Sequence, residues 1–363
     1  MAHIAIDARI INSSTGRYVE RLVTYLQEID HENQYSILVP TKDKDYWKPS
    51  NPNFTVHTID FPNYSLVEQT KFRKYLNQLA PDLVHFCMPQ QPVSYDNRTV
   101  TTFHDLTLLK TWNSDKNWLV YHLKQLVGRV VFYWVAHKSQ MILTPSMYTR
   151  DELLKFSRIS AKKVKVTYES ADKLADTPSP FPVPFRDYIL YVGQQSDYKN
   201  IRRLAEAHQQ LRKTHPKLGL VLAGRKKADA LANERLFTER GYQGIIFTDF
   251  IPDTELAWLY QHCRAYVFPS LMEGFGLPGL EAMIHGAPVV SSGATCLPEV
   301  YGDAAQYFDP KNVDNMADAI DTVISDDTLR KSMIAKGYKQ AQKYSWRRMA
   351  EETLEGYKEV LGN

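Results

Sequence analysis

Residues 270–283 read Ser270-Leu271-Met272-Glu273-Gly274-Phe275-Gly276-Leu277-Pro278-Gly279-Leu280-Glu281-Ala282-Met283. An aromatic and β-branched run, 265–270, enters this stretch, and an apolar run of helical spacing leaves it. Gly274 and Gly276 let backbone amides come close to a ligand. Pro278 suits the first position of a helix, and Gly286 the residue just past its end. The stretch therefore predicts a strand, a glycine turn and a helix whose N-terminus can seat an anion such as a phosphate.

The same alternation runs outward in both directions. Strands are expected at 3–9, 35–40, 54–60, 83–87, 99–105, 141–146 and 164–170, with helices at 17–29, 66–79, 118–137 and 147–156 between them. Thr177-Pro178-Ser179-Pro180-Phe181-Pro182-Val183-Pro184 then interrupts the pattern, because alternate prolines can neither donate to a sheet nor continue a helix. Beyond it, strands at 188–193, 219–224, 245–250, 265–270 and 288–293 alternate with helices at 201–213, 255–261 and 278–285. A last helix, 346–360, starts after Ser345 as its cap. Strands joined by helices make parallel sheets covered on both faces. The expected fold is α/β: two Rossmann-like, doubly wound parallel-sheet domains, 1–172 and 188–345, joined by a proline-rich linker at 173–187. Ligands belong at the carboxyl ends of the strands, facing the cleft between such domains.

Bulk properties narrow the function. A chain of 363 residues suggests two domains at about 150 residues each. With 44% hydrophobic and 23% charged residues, it is neither disordered nor collagen-like. Lys+Arg 44 against Asp+Glu 41 leaves +3, so no strong basic field argues for nucleic acid. Cys87, Cys263 and Cys296 have no paired spacing, which disfavours a zinc or redox motif and fits a reducing, cytoplasmic compartment. The opening MAHIAIDARI runs into a strand pattern and carries charge early, unlike a signal peptide. No apolar run approaches the roughly 18 residues of a membrane span; the nearest, from Leu126 to Ala136, is broken by Arg129.

Several motifs admit two readings. Gly274-x-Gly276-x-x-Gly279 matches the dinucleotide fingerprint, but in that fold the glycines follow the first strand and an acidic residue ends the next. Here the next strand ends in Ser291-Ser292-Gly293, and the chain's first strand leads into Ile11-Asn12-Ser13-Ser14-Thr15-Gly16, so nicotinamide chemistry is disfavoured. Glu273 and Glu281 would lie about 12 Å apart along a helix, too far for a hydrolytic pair but suited to two contacts on one long ligand. The competing reading has Glu281 complementing the dipole in the first turn and Glu273 solvated. Lys199, in Gly193-Gln194-Gln195-Ser196-Asp197-Tyr198-Lys199-Asn200, is expected in the first turn of a helix capped by Ser196 or Asp197. A cation there wants an anion, so a diphosphate contact competes with a plain surface lysine. His104, at the strand end Thr101-Thr102-Phe103-His104-Asp105-Leu106, is expected to share a proton or bind a sugar hydroxyl, unless it is merely hydrogen-bonded in place. Gly16, in Thr15-Gly16-Arg17-Tyr18, either offers an amide to a phosphate or makes a tight turn. Residues 116–138 mix Trp118, Tyr121, Phe132, Tyr133 and Trp134 with Lys124, Arg129 and Lys138; such a helix lies on a membrane, grips an apolar acceptor, or faces the core.

At these residues the chain resembles the retaining glycosyltransferases of the GT-B fold, glycosyltransferase family 4. Glu273 through Glu281 is similar to that family's E-x7-E segment, continued by Gly286-Ala287-Pro288-Val289-Val290 and Leu297-Pro298-Glu299-Val300-x-Gly302-Asp303-Ala304. Asp7-Ala8-Arg9, Thr15-Gly16-Arg17-Tyr18, Phe103-His104-Asp105-Leu106 and Tyr344-Ser345-Trp346 are similar to it as well, so the resemblance covers nearly the whole chain. It implies an acceptor-binding first domain, a donor-binding second domain, and a final helix, 346–363, that crosses back to the first. It also implies transfer of a mannose- or glucose-type hexose from a nucleotide-diphosphate sugar, a GDP- or UDP-sugar, to a glycan, lipid-linked or small-molecule acceptor. Neither metal nor bound cofactor is implied, and peripheral contact with the inner face of a membrane is.

Residue by residue, the resemblance implies that Glu273 holds hydroxyls of the donor sugar and Glu281 the nucleotide ribose. The amides of Phe275, Gly276 and Leu277, with Gly274 beside them, would meet the sugar and the diphosphate, and Gly16 would meet that diphosphate from the other domain. Lys199 would neutralise the leaving nucleoside diphosphate, and His104 would line the acceptor side. Base contacts would be mostly backbone, near 223–225 and at Phe250 and Ile251. The family often carries an arginine shortly before the lysine; Gln194, Gln195 and Tyr198 occupy that stretch here, with Arg225 or Arg17 as expected substitutes. An Asn-Gly-Val-Asp-like strand end is replaced by Glu169-Ser170-Ala171-Asp172. An epimerase or phosphorylase of the same fold, and a non-catalytic two-domain sugar-binding protein, are the alternatives.

Overall fold

The computed structural model describes residues 1–110 and 118–362; the side chains of residues 110–124 lie outside the description, and with them those of Lys116, Trp118, Tyr121 and Lys124. The described chain divides into two compact units, one formed by residues 1–110, 118–169 and 345–362, the other by 170–344.

The first unit is built on β1 (His3–Asp7), β2 (Gln34–Val39), β3 (Phe54–Thr58), β4 (Leu83–Phe86), β5 (Thr99–Thr102), β6 (Met141–Thr144) and β7 (Val164–Val166). They form one parallel sheet in the order β3-β2-β1-β4-β5-β6-β7, with Ile4 of β1 opposite both Tyr35 and Leu83. Central strands such as β4 are buried on both faces, so apolar and polar positions do not alternate along them and even His85 lies inside. The helix Gly16–Ile29 buries Tyr18, Val19, Leu22, Val23 and Leu26, a stripe at three- and four-residue spacing.

The last helix, Trp346–Leu361, belongs to this first unit, as the resemblance implies. Ser345 caps it, its hydroxyl accepting from the Arg348 amide. Arg347 pairs with Glu28 at 3.2 Å, and the Tyr357 hydroxyl meets His85 Nδ1 at 2.6 Å. His85 Nε2 in turn meets the Thr102 hydroxyl, which also bonds Tyr18. Complete burial, reinforced by repulsion from His104, pushes the His85 imidazole down to about 3, so it is held neutral in the core.

The expected helix 66–79 is corrected in its first half: Glu68–Phe72 is a π-helical turn, followed by the α-helix Arg73–Leu79. The wide turn sets Glu68 and Phe72 around Arg9. That guanidinium bonds both oxygens of Asp7, pairs with Glu68 at 2.8 Å, and lies 4.3 Å over the Phe72 ring. Burial raises the Glu68 carboxyl against the pull of Arg9. The Asp7-Ala8-Arg9 motif is thus part of a buried ion triad inside the first unit.

The second unit holds β8 (Tyr188–Val192), β9 (Gly219–Ala223), β10 (Ile245–Phe247), β11 (Ala265–Phe268), β12 (Val289–Ser292) and β13 (Ala305–Phe308). All are parallel, in the order β10-β9-β8-β11-β12-β13. The strand β13 and the helices Ala228–Glu239, Val313–Ser325 and Asp327–Ala341 add to the expected elements. The edge strand β13 was hidden because only its last residue, Phe308, is fully buried. Several strands stop short of their expected ends, β7 at Val166 and β10 at Phe247, and the residues freed there turn out into the carboxyl-end loops.

Candidate functional site

In the second unit the chain passes from β8 to β9 on one side, while β11 lies on the other. The loops leaving β8 and β11 therefore part in opposite directions from adjacent strands, which is where open α/β sheets make a ligand crevice. These loops carry Lys199 and Glu273. They are tied at their bases: the Leu271 amide donates to the Tyr198 carbonyl at 2.8 Å. The Asn200 amide group donates to the carbonyls of Pro269 at 3.0 Å and Pro310 at 2.7 Å, joining the exits of β8, β11 and β13.

Asn200 also corrects the expected cap. Asp197–Lys199 is a short 3-10 turn, Asn200 takes a left-handed conformation with φ 65°, and the α-helix starts only at Ile201. Neither Ser196 nor Asp197 caps that helix, and Lys199 stands before it rather than in its first turn. Its ammonium donates to Glu273 Oε1 at 2.6 Å, with the two side chains only 15% and 13% exposed. Burial alone would lower the lysine, but the Glu273 carboxylate, helped by the hydroxyls of Tyr191 and Tyr198, outweighs it and holds Lys199 above its ordinary range. The readings of Lys199 as a surface cation and Glu273 as solvated are both corrected.

Glu273 lies in the loop before the helix Leu277–Ile284, and its carbonyl accepts from the Cys296 thiol at 3.4 Å. Gly276, with φ 95°, is the N-cap, and its carbonyl accepts from the Tyr301 hydroxyl. A Cβ on Gly276 would stand 2.6 Å from that hydroxyl, and one on Gly279 2.3 Å from the ring. Two of the three fingerprint glycines are thus required by Tyr301 packed beneath the helix start. Pro278 occupies the second helical position rather than the first, and Gly286 ends the helix with φ 76°. Phe275 is buried edge-on to Tyr344, their rings 5.5 Å apart. Glu281 is buried beyond the first turn, which corrects its reading as a dipole complement there. Arg225 is exposed, 5.1 Å over the Phe250 ring, and Ile251 is buried.

Gly16, Arg17 and His104 lie in the first unit. A Cβ on Gly16 would sit 2.0 Å from the Ile11 carbonyl oxygen, so the turn after β1 packs directly on the helix start. Arg17 is half-buried. The His104 ring stands edge-on to Tyr18 at 4.7 Å. Its Nε2 donates to the Cys87 carbonyl at 3.0 Å, and its Nδ1 faces Glu169 Oε1 at 3.1 Å. A carbonyl only accepts, so Nε2 carries hydrogen, and Nδ1 is the ring atom turned to the Glu169 carboxyl. Both ring nitrogens are engaged within the unit.

The structure thus brings Lys199 and Glu273 together and sets Gly274, Phe275, Gly276, Leu277 and Glu281 along the same loop and helix. Sequence reasoning missed Asn200, Tyr301 and Cys296 as supports. For Asn200 the signal was present: an asparagine before a helix is a residue that tolerates the left-handed region. Among the described residues, no group of three or more His, Cys, Asp or Glu is placed to hold a metal ion.

Residues 181–340 match the family described as glycosyl transferases group 1, and residues 15–172 match Glycosyltransferase Family 4. Over 277 residues the chain is 34% identical to O-antigen chain mannosyltransferase B of Escherichia coli, a match covering 72% of this chain and 70% of that protein. It spans less than half the length of serotype-specific mannosyltransferases of the same organism. Sucrose-phosphate synthase from Thermosynechococcus elongatus shares the fold with a TM-score of 0.80 at 17% identity over 100% of both chains. HepE from Anabaena, solved in complex with UDP and glucose, matches with a TM-score of 0.74 at 18% identity over 98% of this chain and 99% of that one. With the E-x7-E loop and helix built as described, these likenesses place the chain in the GT-B fold, and it belongs to the group 1 and family 4 glycosyltransferases.

Proposed function

We propose that the chain transfers a hexosyl residue of mannose type, with retention, from a nucleotide-diphosphate sugar to a hydroxyl of a glycan or lipid-linked acceptor. The observation that carries this reading is the buried Lys199–Glu273 pair at the parting of the β8 and β11 loops, beside the helix start at Leu277. The ammonium and the helix N-terminus supply positive potential where a diphosphate would leave, and the carboxylate suits sugar hydroxyls. The mannosyl preference is supported by the name of the 34% identical relative, and a nucleotide donor by the UDP bound to HepE.

In this reading the bond from the anomeric carbon to the β-phosphate oxygen breaks as the acceptor oxygen bonds that carbon on the same face. The acceptor's proton passes to the departing phosphate, leaving a glycoside and a nucleoside diphosphate. Lys199 neutralises that diphosphate, the amides of Phe275, Gly276 and Leu277 orient it, Glu273 holds the sugar and Glu281 the ribose. Gly16, Arg17 and His104 keep the roles the resemblance implies, and no metal takes part. The donor is a GDP- or UDP-sugar, and the compartment is reducing and cytoplasmic, at the inner face of the membrane when the acceptor is lipid-linked.

The test is incubation of the purified chain with GDP-mannose or UDP-glucose, with and without a mannosylated acceptor. Acceptor-dependent donor consumption giving an α-linked product supports the proposal. Consumption without acceptor points to an epimerase or hydrolase. Binding of free sugar, with no thermal shift from GDP, UDP, ADP or TDP conjugates, points to a non-catalytic sugar-binding protein.

A further inference from the structure

Tyr64 combines a strained backbone with an exposed ring. It lies in the connection from β3 to the π-helical turn at Glu68, on the side of the first sheet where the strands end. Its backbone takes the left-handed region, φ 60°, a conformation an aromatic residue keeps only where its surroundings over-determine it. They do so here. The Tyr64 amide donates to Glu68 Oε2 at 3.0 Å, and its hydroxyl donates to Gln90 Oε1 at 3.1 Å. Arg9 pairs with that Glu68 and also donates to the Phe61 carbonyl at 3.2 Å. Ser65 closes the turn, its hydroxyl donating to the Pro62 carbonyl and accepting from the Glu68 amide. The buried Asp7–Arg9–Glu68 triad thus acts through this loop to fix a ring that is 65% exposed. A core residue would bury that ring, and a plain surface loop would not need it held at both ends.

The groups around the ring select its ligand. Gln90 is buried, and beyond the Met88 thioether at 3.6 Å its amide nitrogen keeps a donor to spare. Asp105 accepts from the Thr107 amide through Oδ1 at 2.7 Å and keeps its second oxygen as an acceptor. Shielding of the hydroxyl end, with the Glu68 and Asp105 carboxylates near it, holds the Tyr64 phenol above its ordinary range, so it stays a neutral donor. Those carboxylates repel a phosphate, and the Arg9 guanidinium is already committed to Asp7 and Glu68. What fits is a neutral ligand with C–H groups on one face and hydroxyls around its edge, a pyranose. Its C–H groups meet the electron-rich ring face, and its hydroxyls meet Gln90 and Asp105. The place adjoins His104: Asp105 follows it in the chain, and Gln90 is on the same loop as Cys87, whose carbonyl orients the imidazole.

We propose that Tyr64 is a stacking platform for one sugar residue of a neutral glycan acceptor, which makes it a specificity-determining residue for the acceptor and not for the donor. The acceptor role of that sugar rests on the transferase reading above; the sugar site itself is tested without turnover. The full chain is titrated with α-linked mannotriose in the absence of donor, and binding is followed by saturation-transfer NMR. The expected result is binding that inorganic phosphate does not displace. Tyr64→Gly relieves the left-handed backbone, so the thermal melt is kept while the Kd for the trisaccharide rises at least about tenfold. Tyr64→Phe keeps the ring and stays within about threefold of wild type. In transfer assays Tyr64→Gly raises the acceptor KM at least about tenfold and leaves the donor KM unchanged. No trisaccharide binding by the wild type, equal binding by Tyr64→Gly, or displacement by phosphate overturns the proposal. Turnover by Tyr64→Gly with an unaltered acceptor KM overturns it as well and leaves the transferase reading standing. Tyr64-dependent binding of the trisaccharide without donor consumption supports the sugar platform and removes the transferase reading instead.

Discussion

Removing Lys199 separates two roles that the same pair plays. Its ammonium and the Glu273 carboxylate are 2.6 Å apart and largely shielded from water, so Lys199→Ala strands a buried carboxylate without its counter-charge. Breaking such a pair from one side costs about 3 kcal/mol, which for a unit of this size lowers the melting temperature by roughly 6–12 °C. Removing both charges, as in Lys199→Ala with Glu273→Gln, brings stability back to within about 1 kcal/mol of wild type, recovering about 2 kcal/mol of what Lys199→Ala alone loses. Transfer behaves differently. Each single variant loses about 10²- to 10³-fold in kcat/KM, and the double variant recovers none of it, because neither the diphosphate nor the sugar contact returns. Calorimetry or denaturant melts of the four proteins, with initial rates on one donor–acceptor pair, complete the cycle. An unchanged melt for Lys199→Ala refutes the buried-pair reasoning. Wild-type turnover in the double variant reduces the pair to a strut.

Gly279→Ala places a methyl 2.3 Å from the Tyr301 ring, so it is expected to cost about 1–3 kcal/mol in a urea melt, and a neutral result would show that the ring can step aside. His85, held neutral down to about 3 against an unfolded value near 6.5, takes up a proton on unfolding between those limits. Its contribution is intact above pH 6.5 and is lost as pH falls, by about 2 kcal/mol between pH 6.5 and 5; His85→Gln is expected to flatten that part of the stability profile, and an unchanged slope would mean the folded ring carries charge. Asn200→Gly keeps the left-handed backbone but removes both loop-tying bonds, so kcat is expected to fall about tenfold with a smaller change in melting temperature; unaltered kcat would leave Asn200 without a positioning role.

The fold was legible because central parallel strands are buried on both faces, so Gly219–Ala223 and Ala265–Phe268 stand out as short apolar runs between helical periods. Contact across the sheet was not legible. Lys199 and Glu273 are 74 positions apart and meet only because β8 pairs with β11, an order no local pattern encodes. The same holds for His104, whose partner Glu169 is 65 positions away at the end of a different strand's loop. Local chemistry misled where tertiary contacts overrode it. Ser196 and Asp197 are good cap residues, yet the bonds of Asn200 to two neighbouring loops decide where the helix begins. The glycines at 276 and 279 imitate a dinucleotide turn, yet the atoms they make room for belong to Tyr301.

The two sheets share one topological feature, and it accounts for where Lys199, Glu273 and Gly16 sit. In the first unit the order turns at β1 and β4, in the second at β8 and β11. At each turn two adjacent strands send their loops apart, leaving backbone amides and carbonyls that no sheet neighbour covers. In the second unit this parting holds Lys199 and Glu273. In the first, Gly16 follows the loop from β1, and the carbonyl of Cys87, next after β4, orients the His104 ring. The position of the motifs in the strand order, more than their composition, is what makes them candidates for binding.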